Sequence, residues 1–259
     1  MEIDRTIRTT FTNISTLYDK ARISYPQKLI SDIIDFVKLK KEDWVLDVGC
    51  GTGQATILFA QRGFNVIGLD SGEAMIKFSQ QKFSKFNNIS FKQGNFEEAE
   101  FSPKFNLIIS AMAWHWIDPE RREKKAYDLL GGNGCLALFW NYQRKNESTF
   151  VQGVGKILDN YDGIDRGPAG SIVKQFADSL HTELRGNKLF CQVEFKEYDE
   201  EIEFTKEKYL DLVLSYGWVQ KLSDEKKTDL IKGLQNLLEN YQEPIIVPYK
   251  HILLLAKKN

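Results

Sequence analysis

The stretch Val45-Leu46-Asp47-Val48-Gly49-Cys50-Gly51-Thr52-Gly53 sets three alternate glycines between a short apolar strand and a helix-like segment, Thr52 to Arg62. Glycine lacks a Cβ and enters positive φ readily, so such a loop turns sharply and lets a ligand approach the backbone. The first amides of the following helix have no intrahelical partners and carry partial positive charge. Strand, glycine loop and helix in this order read as a cradle for a nucleotide-like ligand.

The spacing narrows the ligand. A dinucleotide fingerprint is G-x-G-x-x-G, and this loop, G-x-G-x-G, is one residue tighter. A P-loop needs G-K-[ST] after four intervening residues, and no lysine stands near Gly53. A second apolar strand, Phe64 to Leu69, ends in Asp70, where an acid can accept hydrogen bonds from a ribose diol. The loop D-V-G-C-G-T-G followed by that acid resembles motifs I and II of the class I S-adenosylmethionine-dependent methyltransferases. The resemblance implies S-adenosylmethionine as cofactor. It places Asp47, Gly49, Cys50, Gly51, Thr52 and Gly53 around the methionine end and Asp70 on the ribose hydroxyls, with Ser71 and Met75 beside it.

Apolar strand-like runs alternate with helix-like ones: Trp44 to Val48, Phe64 to Leu69, Ile89 to Lys92, Phe105 to Ser110 and Cys135 to Trp140, with helices near Thr52 to Arg62, Glu73 to Ser84 and Pro119 to Leu130. This alternation predicts an α/β fold with a Rossmann-like, doubly wound sheet whose ligand lies outside the carboxyl ends of the strands. The family resemblance adds a strand order of 3-2-1-4-5-7-6 with strand seven antiparallel. One class I domain is expected over 1–259, with an N-terminal helical segment, 1–43, over the cofactor. Helical insertions follow at 143–190, broken by Asp162-Gly163 and Gly167-Pro168, and at 205–243. Between them lies a sixth strand, Val193 to Phe204. Helices are read at Thr205 to Trp218 and Ser223 to Tyr241, where Leu230, Ile231, Leu234, Leu237 and Leu238 share a face and Ser223 is a cap. The last strand, Ile245 to Ala256, is interrupted at its start by Pro248. Both insertions leave the edge where the cofactor belongs, so they read as a substrate lid; the alternative is an added packing layer.

With 35 basic and 36 acidic residues the net charge is -1, which offers no general attraction for nucleic acid or anionic lipid. No apolar run approaches the 18 or so residues that span a bilayer, and Met1-Glu2-Ile3-Asp4-Arg5 lacks the apolar stretch of a secretion signal. The expected location is the cytoplasm, and no membrane partner is expected. Cys50, Cys135 and Cys191 form no C-x-x-C and read as small buried residues. His115, His181 and His251 are the histidines of the chain, and no metal set surrounds them. His251, in the last strand, reads as a structural histidine.

Gln93-Gly94-Asn95-Phe96 follows the third strand where the family often reads G-D-A-E. Asn95 replaces the acid, yet its carboxamide oxygen can still accept a bond from the adenine amino group. Phe96 either stacks beside that ring or packs in the core. After the fourth strand, Ser110-Ala111-Met112-Ala113-Trp114-His115-Trp116-Ile117-Asp118 resembles the trans-aconitate-methyltransferase-like branch of the methyltransferase domain 11 group. The resemblance places Ser110 and Ala111 beside the methionine portion and Trp114, His115 and Trp116 around the transferred methyl. His115 is the candidate general base, with a packing role as its alternative. The segment Tyr18-Asp19-Lys20-Ala21-Arg22-Ile23-Ser24-Tyr25-Pro26 resembles the family's Y-D-x-x-R-P-x-Y-P, with Ile23 in place of the first proline. Arg22 would pair with the methionine carboxylate or make a surface ion pair. Tyr18, Tyr25, Trp114, Trp116 and Trp140 are the expected substrate pocket.

The expected activity is methyl transfer to a small-molecule acceptor, without nucleic acid. RNA or protein methylation and cofactor binding without catalysis are the alternatives; the fourth strand lacks the N-P-P-[YF] of amino-directed nucleic-acid enzymes. Nothing in the chain identifies the acceptor or the oligomeric state.

Overall fold

The structure, a computed structural model, describes residues 15–162 and 171–259. Seven strands form one sheet in the order β3-β2-β1-β4-β5-β7-β6. They are β1 (Trp44–Val48), β2 (Asn65–Asp70), β3 (Ile89–Gln93), β4 (Phe105–Ala111), β5 (Leu130–Gln143), β6 (Phe190–Phe204) and β7 (Ile245–Lys258). The first five are parallel, and β7 runs antiparallel to both β5 and β6. This is the expected class I topology.

Strands buried on both faces have no solvent side, which is why β1, β4 and β5 read as nearly continuous apolar runs. The alternate residues Leu46, Ile108, Leu136, Leu138 and Leu254 point to one face, where they meet α5 (Arg122–Leu129) and α7 (Ser171–Gly186) through Ala126, Leu129, Ala177, Leu180 and Leu184. Val45, Leu107, Ile109, Ala137, Phe139 and Leu253 point to the other, against Leu29, Ile30 and Ile33 of α2 (Gln27–Val37) and Phe59 of α3 (Thr56–Ala60). A third cluster sits apart from both faces. It joins Ala21 of α1 (Ser15–Ala21) and Ile23 to α6 (Thr149–Asp162), α8 (Lys206–Leu214), α9 (Gly217–Gln220) and α10 (Asp224–Glu239), closing on Val247 and Tyr249 at the start of β7.

Several boundaries differ from the sequence reading for physical reasons. The segment after the glycine loop is helical only over α3, because residues 51–55 are turns that fold the loop back on itself. Pro248 does not interrupt β7: it pairs with Glu201 of β6, and its carbonyl accepts Arg144 N–H at 2.8 Å. N–H and C=O of one strand residue point the same way. The N–H that proline lacks therefore faces the side where β5 has already ended, a position that tolerates proline. Thr205 and Ser223 cap α8 and α10, accepting from Lys208 N–H and Lys226 N–H. The predicted breakers Gly163 and Gly167-Pro168 lie outside the described residues.

Phe139 is fully buried in the central strand β5 and meets Tyr25 edge-to-face at 4.7 Å. Phe139→Ala should lower unfolding free energy by about 3–5 kcal/mol, the usual cost of emptying an aromatic core site, as measured by urea denaturation.

Candidate active site

β1 ends at Val48, and the chain then enters the left-handed region at Gly49 (φ 73°), Gly51 (φ 53°) and Gly53 (φ 81°). At Gly49 more than backbone freedom is at stake, since a Cβ there would lie 2.3 Å from Ala113 Cβ in the segment following β4. The amides of Gly49 and Cys50 both reach Leu69 O, at 2.8 and 3.0 Å, so the loop is hung on the end of β2. Asp70 completes the attachment: Oδ2 accepts Gly51 N–H at 2.9 Å and Oδ1 accepts Gly72 N–H at 2.8 Å. Burial raises the Asp70 pKa, and these two amides work against that rise. Each oxygen keeps a lone pair for a further donor.

The loop lines an open cleft bounded by Tyr18, Tyr25, Asp47, Gly49, Cys50, Gly51, Thr52, Gln54, Ala55 and Ala111. Two polar atoms in its wall, Asp47 Oδ1 and Thr52 Oγ1, are buried with no hydrogen-bond partner. Asp47 Oδ2 accepts the Thr56 hydroxyl at 2.6 Å. Burial pushes the Asp47 pKa up to about 7; Thr56 draws it down and the nearby Asp70 charge adds to the rise. Among the described residues no basic side chain lines this cleft. An acid-lined recess with unsatisfied acceptors suits a ligand that brings hydroxyl and ammonium donors and positive charge.

Residues ahead of the sheet cover the loop. Tyr18 of α1 stands 3.9 Å from where a Gly51 Cβ would be, and α1 is held by Lys82 Nζ to Asp19 Oδ1 at 2.5 Å and by Gln54 Nε2 to Asp19 O at 3.3 Å. Arg22 is sandwiched between the rings of Tyr18 and Tyr216, 4.5 and 5.2 Å from their centroids, and donates to Ser215 O at 3.4 Å. It joins α1 to the second insertion and is not among the residues that line the cleft.

Other expected positions divide. Ala111 lines the cleft, Ser71 is half-buried beside Asp70, and Asn95 is exposed after β3. Met75 is buried against the Asp70–Gly72 turn, where a Gly72 Cβ would meet it at 3.4 Å. Gly53 packs on Phe83, the ring lying 2.5 Å from a Cβ built there, so its role is packing beneath the loop. Four expectations are corrected. Ser110 is fully buried and donates to Val48 O at 2.8 Å, so its hydroxyl ties β4 to the end of β1. Phe96 takes the core alternative, 5.7 Å from the ring of Trp114. Trp114 is itself fully buried and donates from Nε1 to Glu123 Oε1 at 3.3 Å. Trp140, 1% exposed, packs edge-on to Phe176 of α7. The aromatic residues turned inward because a large apolar ring at the end of a buried strand gains more from the core than from an open cleft.

His115 follows Trp114 in a single 3-10 turn, Trp114–Trp116, with its ring 4.8 Å from Trp116 and 5.9 Å from Phe176. Burial, assisted by the Arg122 charge, lowers its pKa to about 4. An imidazole that weakly basic is poorly matched to proton abstraction near neutral pH, which favours the packing alternative. Cys50 and Cys135 are buried as expected, but Cys191 is exposed on β6. His251 is buried in β7 with Nε2 2.8 Å from Glu200 Oε2. Sequence reasoning missed Thr56 and Gln54, which touch the site through Asp47 and α1, and Met112. Met112 holds φ 58° directly after Ala111, and its sulfur accepts Asn141 N–H at 3.1 Å. A non-glycine residue in that region shows no composition signal. Among the described residues no His, Cys, Asp and Glu cluster could hold a metal ion, and no helix is long and apolar enough to cross a membrane.

Fold and site together define an α/β domain with a cleft at the glycine loop on the carboxyl edge of its sheet. Residues 45–134, which contain the loop, Asp70 and the end of β4, match the methyltransferase domain family. An uncharacterized methyltransferase-like protein of Schizosaccharomyces pombe is 27% identical over 213 residues, 81% of this chain and 78% of that protein. An uncharacterized methyltransferase of Mycobacterium bovis is 26% identical over 225 residues, 86% of this chain and 83% of its own length. Among solved structures, a candidate type II methyltransferase from Anaeromyxobacter dehalogenans shares the fold with a TM-score of 0.64 at 18% identity, covering 92% of this chain and 97% of that one. Residues 45–134 are thus similar to a methyltransferase domain, relatives named as methyltransferases align along most of the chain, and the fold is one that methyltransferases share.

Because the native pKa of Asp47 lies above the 3.8 of an ordinary aspartate, ionising it in the folded protein costs stability as pH rises. Relative to Asp47→Asn, the wild-type protein should lose stability between about pH 4 and pH 7, with the difference constant above that range. Thermal melts of both proteins across pH 4 to 8 measure it.

Proposed function

We propose that this protein transfers a methyl group from S-adenosylmethionine to a small-molecule acceptor held beneath its helical insertions. The observation that carries the reading is the cleft at the glycine loop, with Asp47 in its wall and Tyr18 of α1 beside it. Asp70 would hold the ribose hydroxyls through the lone pairs left by Gly51 and Gly72, and Asp47 Oδ1 and Thr52 Oγ1 would take the polar groups of the methionine end. Gly49, Cys50 and Gly51 would let that end lie against the backbone, with Ser71, Met75 and Asn95 toward the base. When bound, the cofactor supplies an activated methyl group for in-line displacement.

The protein's own contribution is then mainly placement. Tyr18 and Tyr25 line the cleft from the N-terminal side, which supports alignment of two small reactants as the source of rate. Both insertions leave the carboxyl edge, since β5 and β6 run parallel to β1, and α6, α8, α9 and α10 gather by the start of β7 while α7 returns to cover a sheet face, an arrangement that supports a small acceptor. A net charge of -1 supports the same choice over RNA. The narrower trans-aconitate-like resemblance rests on the segment from Ala111 to Asp118.

The test is transfer of labelled methyl from S-adenosylmethionine to a panel of small carboxylates, amines, phenols and thiols, with bulk RNA and protein as parallel acceptors. Label on RNA or protein alone would overturn the small-molecule reading. Asp70→Ala should weaken S-adenosylhomocysteine binding by about 10 to 100-fold in calorimetry, from the charged hydrogen bonds it removes; unchanged affinity would remove Asp70 from the site. His115→Gln should change the turnover rate by less than about tenfold, whereas loss of a true base costs about 100 to 10,000-fold. The pH–rate profile of the wild type should show no inflection assignable to His115 near 6.5, the ordinary histidine value.

A further inference from the structure

Arg122 and Glu123 are buried at the start of α5, with side chains 5% and 6% exposed, in a part of the molecule where neither lines the cleft. Neighbouring residues on a helix do not ordinarily face one another. Here Arg122 Nε nevertheless donates to Glu123 Oε1 at 2.6 Å, both side chains having turned toward the segment that follows β4. Each nitrogen of the guanidinium has its own partner. Nη1 donates to Trp114 O at 3.4 Å, and Nη2 lies 3.8 Å from Glu183 Oε2 on α7. The same Glu123 oxygen receives Trp114 Nε1–H at 3.3 Å. The guanidinium carbon stands 5.7 Å from the ring centroid of Phe176, again on α7, and Phe176 in turn contacts His115 and Trp140.

A buried ion pair is a poor means of stabilising a fold, because desolvation of the two charges often cancels their attraction, and apolar replacements are frequently as stable. What this pair does supply is direction. One planar fork joins α5, the 3-10 turn and α7, and a lysine, with a single nitrogen, cannot reproduce it. The turn so held is packed on the cofactor loop, for Ala113 leaves no room for a Cβ at Gly49.

We propose that Arg122 is a positioning residue that couples the seating of α7 to the shape of the glycine loop. The coupling runs from Glu183 and Phe176 through Arg122 to the backbone of Trp114, and from Ala113 to Gly49. Arg122 touches neither cofactor nor acceptor in this scheme and acts through the turn. The proposal rests on the methyltransferase reading only for its ligand; the link between α7 and the turn is independent of it.

The experiment compares wild type with R122M/E123Q, which removes both charges together and keeps an acceptor for Trp114 Nε1–H. Glu183→Ala, on the half-exposed side of α7, is the milder variant that still folds if the first does not. Hydrogen exchange should show faster exchange both in α7 and in residues 111–117, and calorimetry with S-adenosylhomocysteine should show affinity reduced about 5-fold or more, the scale of a coupling between sites. Arg122→Lys should behave like the double variant. Wild-type exchange and affinity in R122M/E123Q, or in Glu183→Ala where that is the variant that folds, would overturn the proposal. So would faster exchange in α7 alone, or full function in Arg122→Lys. If the wild type itself fails to bind S-adenosylhomocysteine, the methyltransferase reading falls, and the paired exchange of α7 and the turn still decides the coupling.

Discussion

The carboxylate of Asp70 receives one amide from the glycine loop and one from the start of the next connection, and the site is organised around that pair of bonds. Together with the two amides that reach Leu69 O, they make the end of β2 the fixed point from which the loop after β1 hangs. An acid in this position does two jobs at once. It satisfies backbone donors that the left-handed glycines leave outside any ladder, and it retains acceptor capacity for a diol. The loop therefore takes its shape from bonds within the chain, which is the kind of support a binding cradle requires.

Around this fixed point the molecule separates stability from access. The two faces of the sheet are closed by α2 and α3 on one side and α5 and α7 on the other, each against its own apolar set. The third cluster, over the carboxyl edge, is built from α1, α6, α8, α9 and α10 and meets the sheet at the start of β7. Tyrosines gather where this layer approaches the cleft: Tyr18 and Tyr216 clasp Arg22, while Gln143 links Tyr209 to Tyr249 with bonds of 2.9 and 2.8 Å. Such polar contacts give the cover a defined seat over an edge where strand ends expose backbone groups.

Much of this was legible in the linear order of residues. Alternating apolar runs specified the strands, the tight glycine spacing with Asp70 specified the cradle, and Ser223 marked the start of α10. The aromatic cluster after β4 was not legible, because Trp114-His115-Trp116 has the same composition whether its rings line a pocket or fill a core. A 3-10 turn and the buried Arg122–Glu123 pair decided the matter, turning Trp114 inward and leaving His115 against Phe176. Arg122 and Glu123 stand in a run of mixed charge, Glu120 to Lys125, and such a run carries no mark of the helix that will cover it.

Sequence alone determined what depends on neighbours in the chain: the loop's conformational freedom, the strand periodicity and the acid that closes the second strand. Tertiary structure alone decided what depends on residues far apart. It gave Asp47 its depressed acidity by burying it, aimed Arg22 at Ser215 and Tyr216, and tied Ser110 to Val48. The physical reason is that backbone preference acts over a turn or two, whereas desolvation and charge pairing are properties of a packed interior that exists only once the layers have closed.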